Sequence, residues 1–190
     1  GTTDDSFAAN GSRPAIVIDG NNLNANGLHL GSGSGGSTIR GLVIRNFQQD
    51  GIRIDAGSNG NLIAGNYIGR LTPAGTAAAT GNGAAGIAVY GANNVIGGTA
   101  AADRNIVSGN NYGILVNGAP ATGNQVFGNT IGTDLSGNSA IANTLDGIRI
   151  ENGATANVIG GSAAGQRNVI SGNGQDGVQI DGEASDGNIV

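Results

Sequence analysis

A short phrase, Gly-Ile-x-Ile, recurs along this chain and constrains its fold more than any other feature. Clear copies, with Val allowed for Ile, begin at Gly51, Gly86, Gly113, Gly147 and Gly177, and a weaker copy begins at Gly27. Self-similarity at a period of about 20 to 50 residues is typical of a solenoid, in which each repeat packs only against its neighbours. Most apparent motifs in such a chain are therefore copies of a scaffold.

Each copy predicts a short strand, and two more short strands follow it. Apolar residues two apart, such as Ile52 and Ile54, point the same way in a strand, so the residue between them faces outward. Two further apolar phrases follow in most repeats, as in Asn94-Val95-Ile96 and Asn105-Ile106-Val107. No segment keeps the i, i+3, i+4 spacing of an amphipathic helix. The sequence predicts an all-β parallel β-helix of about six to seven coils, with three short strands per coil.

Asn recurs where one strand gives way to the next, often directly after Gly, as at Asn66, Asn110 and Asn129. Asn tolerates left-handed backbone angles, and stacked Asn side chains can hydrogen-bond along a column. We interpret these residues as structural and expect more than one such column.

The coils are of two alternating kinds. In those beginning at Gly51 and Gly113, a long excursion follows the third strand, over residues 70–85 and 133–146. In those beginning at Gly86 and Gly147, a shorter insertion, 99–104 or 162–167, separates the second and third strands. We expect the long excursions to project from one edge of the solenoid, where they could bind a partner, and the short ones to lie at another edge.

Residues 1–14 lack the repeat, and we interpret them as a connecting segment before a β-helix spanning residues 15–190. The repeat breaks off at Val190, where an inward-facing residue is due. An open end exposes unpaired strand edges, so we infer that the natural protein continues beyond this point.

The phrases Asn105-Ile106-Val107-Ser108-Gly109-Asn110 and Asn168-Val169-Ile170-Ser171-Gly172-Asn173 resemble the N-x-I-S-G-N signature of right-handed parallel β-helix repeats. Such repeats occur in pectin-lyase-like proteins and in large exported or cell-surface proteins of bacteria. The resemblance implies the right-handed sense and raises the possibility of polysaccharide cleavage. The shared residues build coils, so the resemblance is specific for fold and not for activity.

Composition excludes several classes of function. The net charge of −5 and the sequence pI near 4.5 argue against a nucleic-acid partner, which requires a basic surface. No apolar run approaches the roughly 18 residues of a membrane span. The chain has no Cys and no Lys and contains 38 Gly, a composition that suits an exported bacterial protein. We therefore expect an extracellular or cell-surface location.

The best candidate for chemistry is a set of acids that flank two neighbouring first strands. Asp146 and Asp176 precede these strands, and Glu151 and Asp181 follow them. If the coils stack in register, like charges would lie roughly 5 Å apart, which could raise a pKa or recruit a cation such as Ca²⁺. The structural alternative is that Asp before Gly is ordinary turn chemistry. We expect no other cofactor and no catalytic residue.

A second candidate is a small binding patch on the outward face of the first strands, comprising Tyr90, Tyr112 and Arg149. Sugar-binding grooves often present aromatic side chains, and few others are available here. His29, the single histidine, occupies an outward strand position without a Ser or Cys partner at a recognisable spacing. We interpret it as a surface residue.

The sequence favours a non-catalytic structural or adhesive module of an exported bacterial surface protein. One alternative is a carbohydrate-active domain that cleaves polysaccharides as a lyase or hydrolase. Another is an element that assembles with copies of itself by end-to-end stacking of coils. The partners considered are thus carbohydrates or neighbouring copies of the chain.

Overall fold

A computed structural model describes Pro14 and residues 16–190, and in it the chain forms a right-handed parallel β-helix of about six coils. Three parallel sheets run along the solenoid, and we number them in the order in which a coil visits them. Sheet 1 contains the Gly-Ile-x-Ile strands: β2 (Leu28–Leu30), β5 (Ile52–Ile54), β8 (Ala85–Val89), β11 (Tyr112–Asn117), β14 (Ile148–Glu151) and β17 (Val178–Ile180).

Sheet 2 contains β3 (Thr38–Arg40), β6 (Leu62–Ala64), β9 (Val95–Gly97), β12 (Gln125–Phe127) and β15 (Val158–Ile159). Sheet 3 contains β1 (Ile16–Leu23), β4 (Leu42–Phe47), β7 (Tyr67–Gly69), β10 (Ile106–Ser108), β13 (Thr130–Ile131) and β16 (Val169–Ile170). One turn of 3-10 helix, Ala101–Asp103, lies in the short insertion between β9 and β10. The predicted fold class and the three strands per coil are confirmed.

The register follows the repeat, because each Gly-Ile-x-Ile strand pairs with the next at equivalent positions. Ile52 lies opposite Ile87, and Ile114 opposite Ile148. Ile96 and Val107, which the pattern places inward on sheets 2 and 3, are both fully buried. A buried Ile or Val side chain contributes about 1.5–3 kcal/mol of hydrophobic stabilisation, and each coil adds several to one continuous core.

The Gly that opens a first strand is required by space in every coil but the last. A Cβ on Gly51 would lie 2.6 Å from the Ile68 side chain and 2.7 Å from the carbonyl oxygen of Gly86. Gly147 is confined in the same way, by Ile170 and Gly177. The repeated Gly therefore lets adjacent coils and the inward residue of the third strand approach closely.

Three Asn ladders run along the corners of the solenoid, which confirms the prediction of more than one column. In each ladder the Nδ2 of one Asn donates to the Oδ1 of the Asn in the next coil, at 2.8–3.2 Å. The ladders comprise Asn61, Asn94, Asn124, Asn157 and Asn188; Asn66, Asn105, Asn129 and Asn168; and Asn82, Asn110, Asn143 and Asn173.

The long excursions leave after strands of sheet 3, and the short insertions lie between sheets 2 and 3, so the two kinds occupy different edges as expected. The long excursions do not project, however, and this part of the prediction is wrong. Each folds back as a small hairpin, closed by the antiparallel bridges Leu71–Ala77 and Thr133–Ala140.

Apolar side chains explain why the hairpins fold back. Leu71 and Ile141, one from each hairpin, are buried against Ile106, Tyr67 and Val43 on the outer face of sheet 3. The result is a second small core outside the solenoid. Ile106, an outward residue by strand alternation, is consequently fully buried.

The exposed large apolar side chains of the described residues lie at the two ends of the solenoid. Ile16 and Leu23 are each 58% exposed at one end, and Ile189 and Val190 are 61% and 71% exposed at the other. The predicted connecting segment, residues 1–14, lies outside the described residues except for Pro14, so its separation from the β-helix stays a prediction.

Candidate functional site on the outer face of sheet 1

The candidate site is the outer face of sheet 1, where the residue between the two inward Ile positions points to solvent. Strand register aligns these outward residues into one column along the solenoid: His29, Arg53, Ala88, Leu115, Arg149 and Gln179. Acidic residues flank the column on both sides. Two clusters result, one around Arg149 and one around Arg53.

The Arg149 cluster brings together three of the four acids predicted from the sequence. The guanidinium donates to Glu151 Oε2 at 2.5 Å, to Asp181 Oδ2 at 3.1 Å and to Asp146 Oδ2 at 3.2 Å. It also donates to the Gln179 side-chain oxygen at 2.5 Å. The hydrogen bond to Glu151, more than any other contact, raises the pKa of Arg149. The cation held by these acids is therefore a side chain of the protein itself.

Asp146 is the most constrained of the acids, because its side chain is fully buried. Its second oxygen, Oδ1, accepts from the backbone N–H of Asp176 at 3.1 Å, which ties the two neighbouring coils together. The exposed Asp176 side chain forms no ion pair with the residues that the structure describes. Within residues 16–190, no three His, Asp or Glu side chains are grouped in a way that could hold a metal ion. The Ca²⁺ site stays a prediction.

The Arg53 cluster was missed in reading the sequence, although a signal for it exists. Arg53 donates to Asp55 Oδ1 at 2.8 Å and lies 3.5 Å from Asp50 Oδ2. Asp55 also contacts His29 Nε2 at 2.7 Å, so His29 is a surface residue with a carboxylate partner. The phrases Asp50-Gly51-Ile52-Arg53-Ile54-Asp55 and Asp146-Gly147-Ile148-Arg149-Ile150-Glu151 differ only in their last acid, so the same arrangement could have been inferred for both.

The two tyrosines of the predicted patch associate with different arginines. The Arg53 guanidinium lies 4.3 Å from the centre of the Tyr90 ring, and that of Arg149 lies 5.9 Å from the Tyr112 ring. Both distances fall within the roughly 6 Å at which a cation is attracted to an aromatic face. The structure thus brings Arg149 together with Tyr112, and it places Tyr90 in the other cluster.

Burial and hydrogen bonding shift the pKa values of the two acids beside Arg53 in opposite directions. Removal from water raises the pKa of Asp50 above its usual 3.8, although the N–H of Ala85 and the charge of Arg53 act against this. The hydrogen bond from His29 is the largest cause that lowers the pKa of Asp55. Asp50 therefore destabilises the fold when ionised, and Asp55 stabilises it when ionised.

These directions predict opposite effects of two amide substitutions. Asp50→Asn should increase the free energy of unfolding at pH 7, because the amide keeps an acceptor for Ala85 without the desolvated charge. Asp55→Asn should decrease it. The difference for Asp50 should shrink as the pH falls from the raised folded-state pKa towards 3.8, because the acid is then protonated in both states. The difference for Asp55 should persist to lower pH and be lost only as the pH falls through the lowered folded-state pKa. Urea unfolding between pH 3 and pH 7 measures this, and equal effects of the two variants would contradict it.

The Arg149 cluster predicts a larger effect. Arg149→Ala should lower the free energy of unfolding by about 2–3 kcal/mol at pH 7, because it leaves the buried Asp146 carboxylate without its cation. Arg167→Ala is the matched control, since Arg167 is exposed and forms no ion pair with a described residue. It should change stability by less than about 0.5 kcal/mol. Equal urea midpoints for the two variants would show that the cluster contributes nothing.

Comparison with protein-family models, with curated proteins and with solved structures finds no significant match to this chain. The likeness to pectin-lyase-like repeats accordingly stays a resemblance of short phrases such as N-x-I-S-G-N. Among the described residues, no helix has the length and apolar character needed to cross a membrane.

Proposed function

We propose that this chain is a non-catalytic structural or adhesive module of an exported bacterial protein, acting outside the cell or at its surface. The observation that supports this most is the pairing of the charged side chains on sheet 1 with one another. Arg149 holds three carboxylates, and Arg53 holds two. Charged groups engaged in this way are held by other side chains of the protein.

Catalysis by paired carboxylates has different requirements. Hydrolysis of a glycosidic bond needs one acid with a raised pKa and one ionised acid, placed across a groove that admits the sugar. Glu151 receives hydrogen bonds from Arg149 and from the Asn117 side chain, and Asp146 is buried. Neither carboxylate is placed to transfer a proton to a substrate.

The Asn ladders support a role as a rigid structural element. Each ladder links every coil that it crosses to the next through side-chain and backbone hydrogen bonds, as at Asn61, Asn94 and Asn124. Because these amides are buried, bending the solenoid would break bonds that water cannot readily replace. Such a rod suits a stalk or a rigid display surface.

The test is incubation of the protein with polygalacturonate, alginate and neutral glycans, with and without Ca²⁺. We expect neither unsaturated products nor new reducing ends. Turnover that disappears in Asp146→Asn or Asp176→Asn would overturn the proposal and favour the alternative, a carbohydrate-active lyase or hydrolase. Binding without turnover would support the adhesive form of the proposal.

Assembly by end-to-end stacking is a second candidate, favoured by the exposed apolar side chains at both ends, such as Leu23 and Ile189. The ladders act against it. The ladders begin at Asn61, Asn66 and Asn82, which accept from the N–H groups of Ser37, Leu42 and Phe47. They therefore do not extend to the first end of the solenoid, and a head-to-tail joint would not continue them. A sedimentation mass that rises with concentration would favour assembly, and a constant monomer mass would exclude it.

A further inference from the structure

A cavity of about 280 Å³ opens at the corner between sheets 3 and 1, near the first coils. We call it the corner cavity, and it is lined by Asn22, residues 46–48 and residues 80–83. Its size is close to the lower limit for clefts that hold small ligands. None of the residues that line it carries a charge.

One residue that lines the corner cavity departs from the repeat. Phe47 occupies a ladder position, because its N–H donates to Asn82 Oδ1 just as the N–H of Asn110 donates to Asn143 Oδ1. Where the later coil has a ladder amide, this coil therefore has an aromatic ring. In a solenoid the scaffold residues recur, so this departure distinguishes the corner cavity from the equivalent corners of later coils.

A short side chain at position 80 leaves the space open. Thr80 stands two residues before the ladder residue Asn82, and Ile141 stands two residues before the ladder residue Asn143. Ile141 is 2% exposed and packs into the second core, whereas Thr80 is exposed and lines the cavity. Thr80 thus leaves space that a side chain such as that of Ile141 would fill, and the equivalent residues before Asn110 and Asn173, Ser108 and Ser171, are also small and polar.

The polar groups at the cavity can serve a ligand. The Thr80 hydroxyl and the Asn22 side chain form no hydrogen bond with another described residue. Gln48 uses its Nε2 to reach the Asn22 carbonyl oxygen, which leaves its own side-chain oxygen as an acceptor. Asn22 and Asn46 have left-handed φ angles of 66° and 62°, a conformation often retained at ligand sites.

We propose that the corner cavity binds one ring of a neutral sugar, either free or at the end of a glycan. Hydroxyl and amide groups can both donate and accept hydrogen bonds, which matches a polyhydroxylated ring. Phe47 is 7% exposed and packs mainly into the core of the solenoid, so the polar groups carry the recognition, and the uncharged lining disfavours a uronic acid or a phosphosugar. This inference rests on the adhesive form of the proposed function and names its ligand class.

The experiment is a ¹⁵N–¹H NMR titration of the intact chain with glucose, galactose, mannose and N-acetylglucosamine, and with galacturonate for comparison. We expect at least one neutral sugar to shift the backbone amides of Gln48, Gly81 and Gly83, with a Kd of about 1–10 mM. Galacturonate should bind at least about fivefold more weakly.

Two variants and one control locate the site. Thr80→Ile, which introduces the residue found at position 141, should fill the cavity and so abolish the shifts. Gln48→Ala should weaken binding about fivefold through the lost hydrogen bonds. Gln49→Ala is the matched control, because Gln49 bonds to Asn24 and does not line the cavity; its Kd should be unchanged.

The outcomes separate the two proposals. Absence of shifts for all four neutral sugars, or shifts that persist in Thr80→Ile, would overturn the corner cavity as a sugar site. Shifts confined to sheet 1 would overturn it too, yet would leave the adhesive function intact. Turnover of a glycan would overturn the proposed function whether or not the corner cavity is occupied.

Discussion

Ile96→Asp should unfold several coils of the solenoid together. Ile96 is fully buried on β9, between Ile63 of the preceding coil and Val126 of the next. An unpaired carboxylate at this position has no cation within the apolar interior, and the coils on either side depend on the same core. We expect a loss of more than about 4 kcal/mol in the free energy of unfolding, measured by urea denaturation with far-UV circular dichroism.

Gln125→Asp is the control for this charge. Gln125 lies in the next coil, directly opposite Val95, and its side chain is exposed. The same new carboxylate is therefore hydrated, and stability should change by less than about 0.5 kcal/mol. A folded Ile96→Asp protein with a urea midpoint equal to that of Gln125→Asp would contradict the inward register of sheet 2.

Removing one amide from the middle of a ladder should have the next largest effect. Asn105 accepts from the backbone N–H and the side chain of Asn66, at 2.9 and 3.1 Å. It donates to the Ile63 carbonyl oxygen at 2.8 Å and to Asn129 Oδ1 at 2.9 Å. Asn105→Ala leaves the buried Asn66 N–H without its acceptor and takes a donor from the Ile63 carbonyl oxygen, and each unsatisfied group costs about 1–3 kcal/mol. We expect a loss of about 3–5 kcal/mol in the free energy of unfolding.

Asn138→Ala gives the matched comparison, because Asn138 is exposed in a hairpin and its side chain bonds to no described residue. Its urea midpoint should match that of the wild type. If Asn105→Ala unfolds at the same urea concentration as Asn138→Ala, the ladders are not a source of stability, and the case for a rigid rod loses its main support. Hydrogen exchange at the amide of Asn66 gives a local readout, since this group loses its acceptor.

The two arginine clusters show how a repeat can hide a site. The phrase around Arg149 predicts a site because its acids are adjacent to those of the next coil. The equivalent phrase around Arg53 gave no such prediction. Both arginines hold carboxylates from the two ends of their own strand. Only Arg149 also reaches an acid of the following coil, Asp181. The two clusters are variants of one arrangement on the outer face of sheet 1, in which an arginine binds the acids at both ends of its own strand.

Local periodicity was sufficient to predict the solenoid. The two-residue alternation at Ile52 and Ile54 decides which face of a strand points inward, and the recurrence of the phrase decides which strands are neighbours. Ladder positions followed for the same reason, since an amide that recurs in each coil must stack on its equivalent. These features involve contacts between identical positions, so a single chain contains all the information about them.

Contacts between unlike positions were decided only in the tertiary structure. The hairpins at residues 70–82 and 133–143 fold over sheet 3 because Leu71 and Ile141 meet outward apolar residues of other coils, and nothing in the local pattern specifies that meeting. The register of the strands indicated that the acids around Arg149 lie close together, which suggested a bound cation. It did not indicate that the Arg149 guanidinium reaches these acids. The corner cavity likewise depends on how the side chains of Phe47 and Thr80 fill space, which is set by packing in three dimensions and not by the period of the sequence.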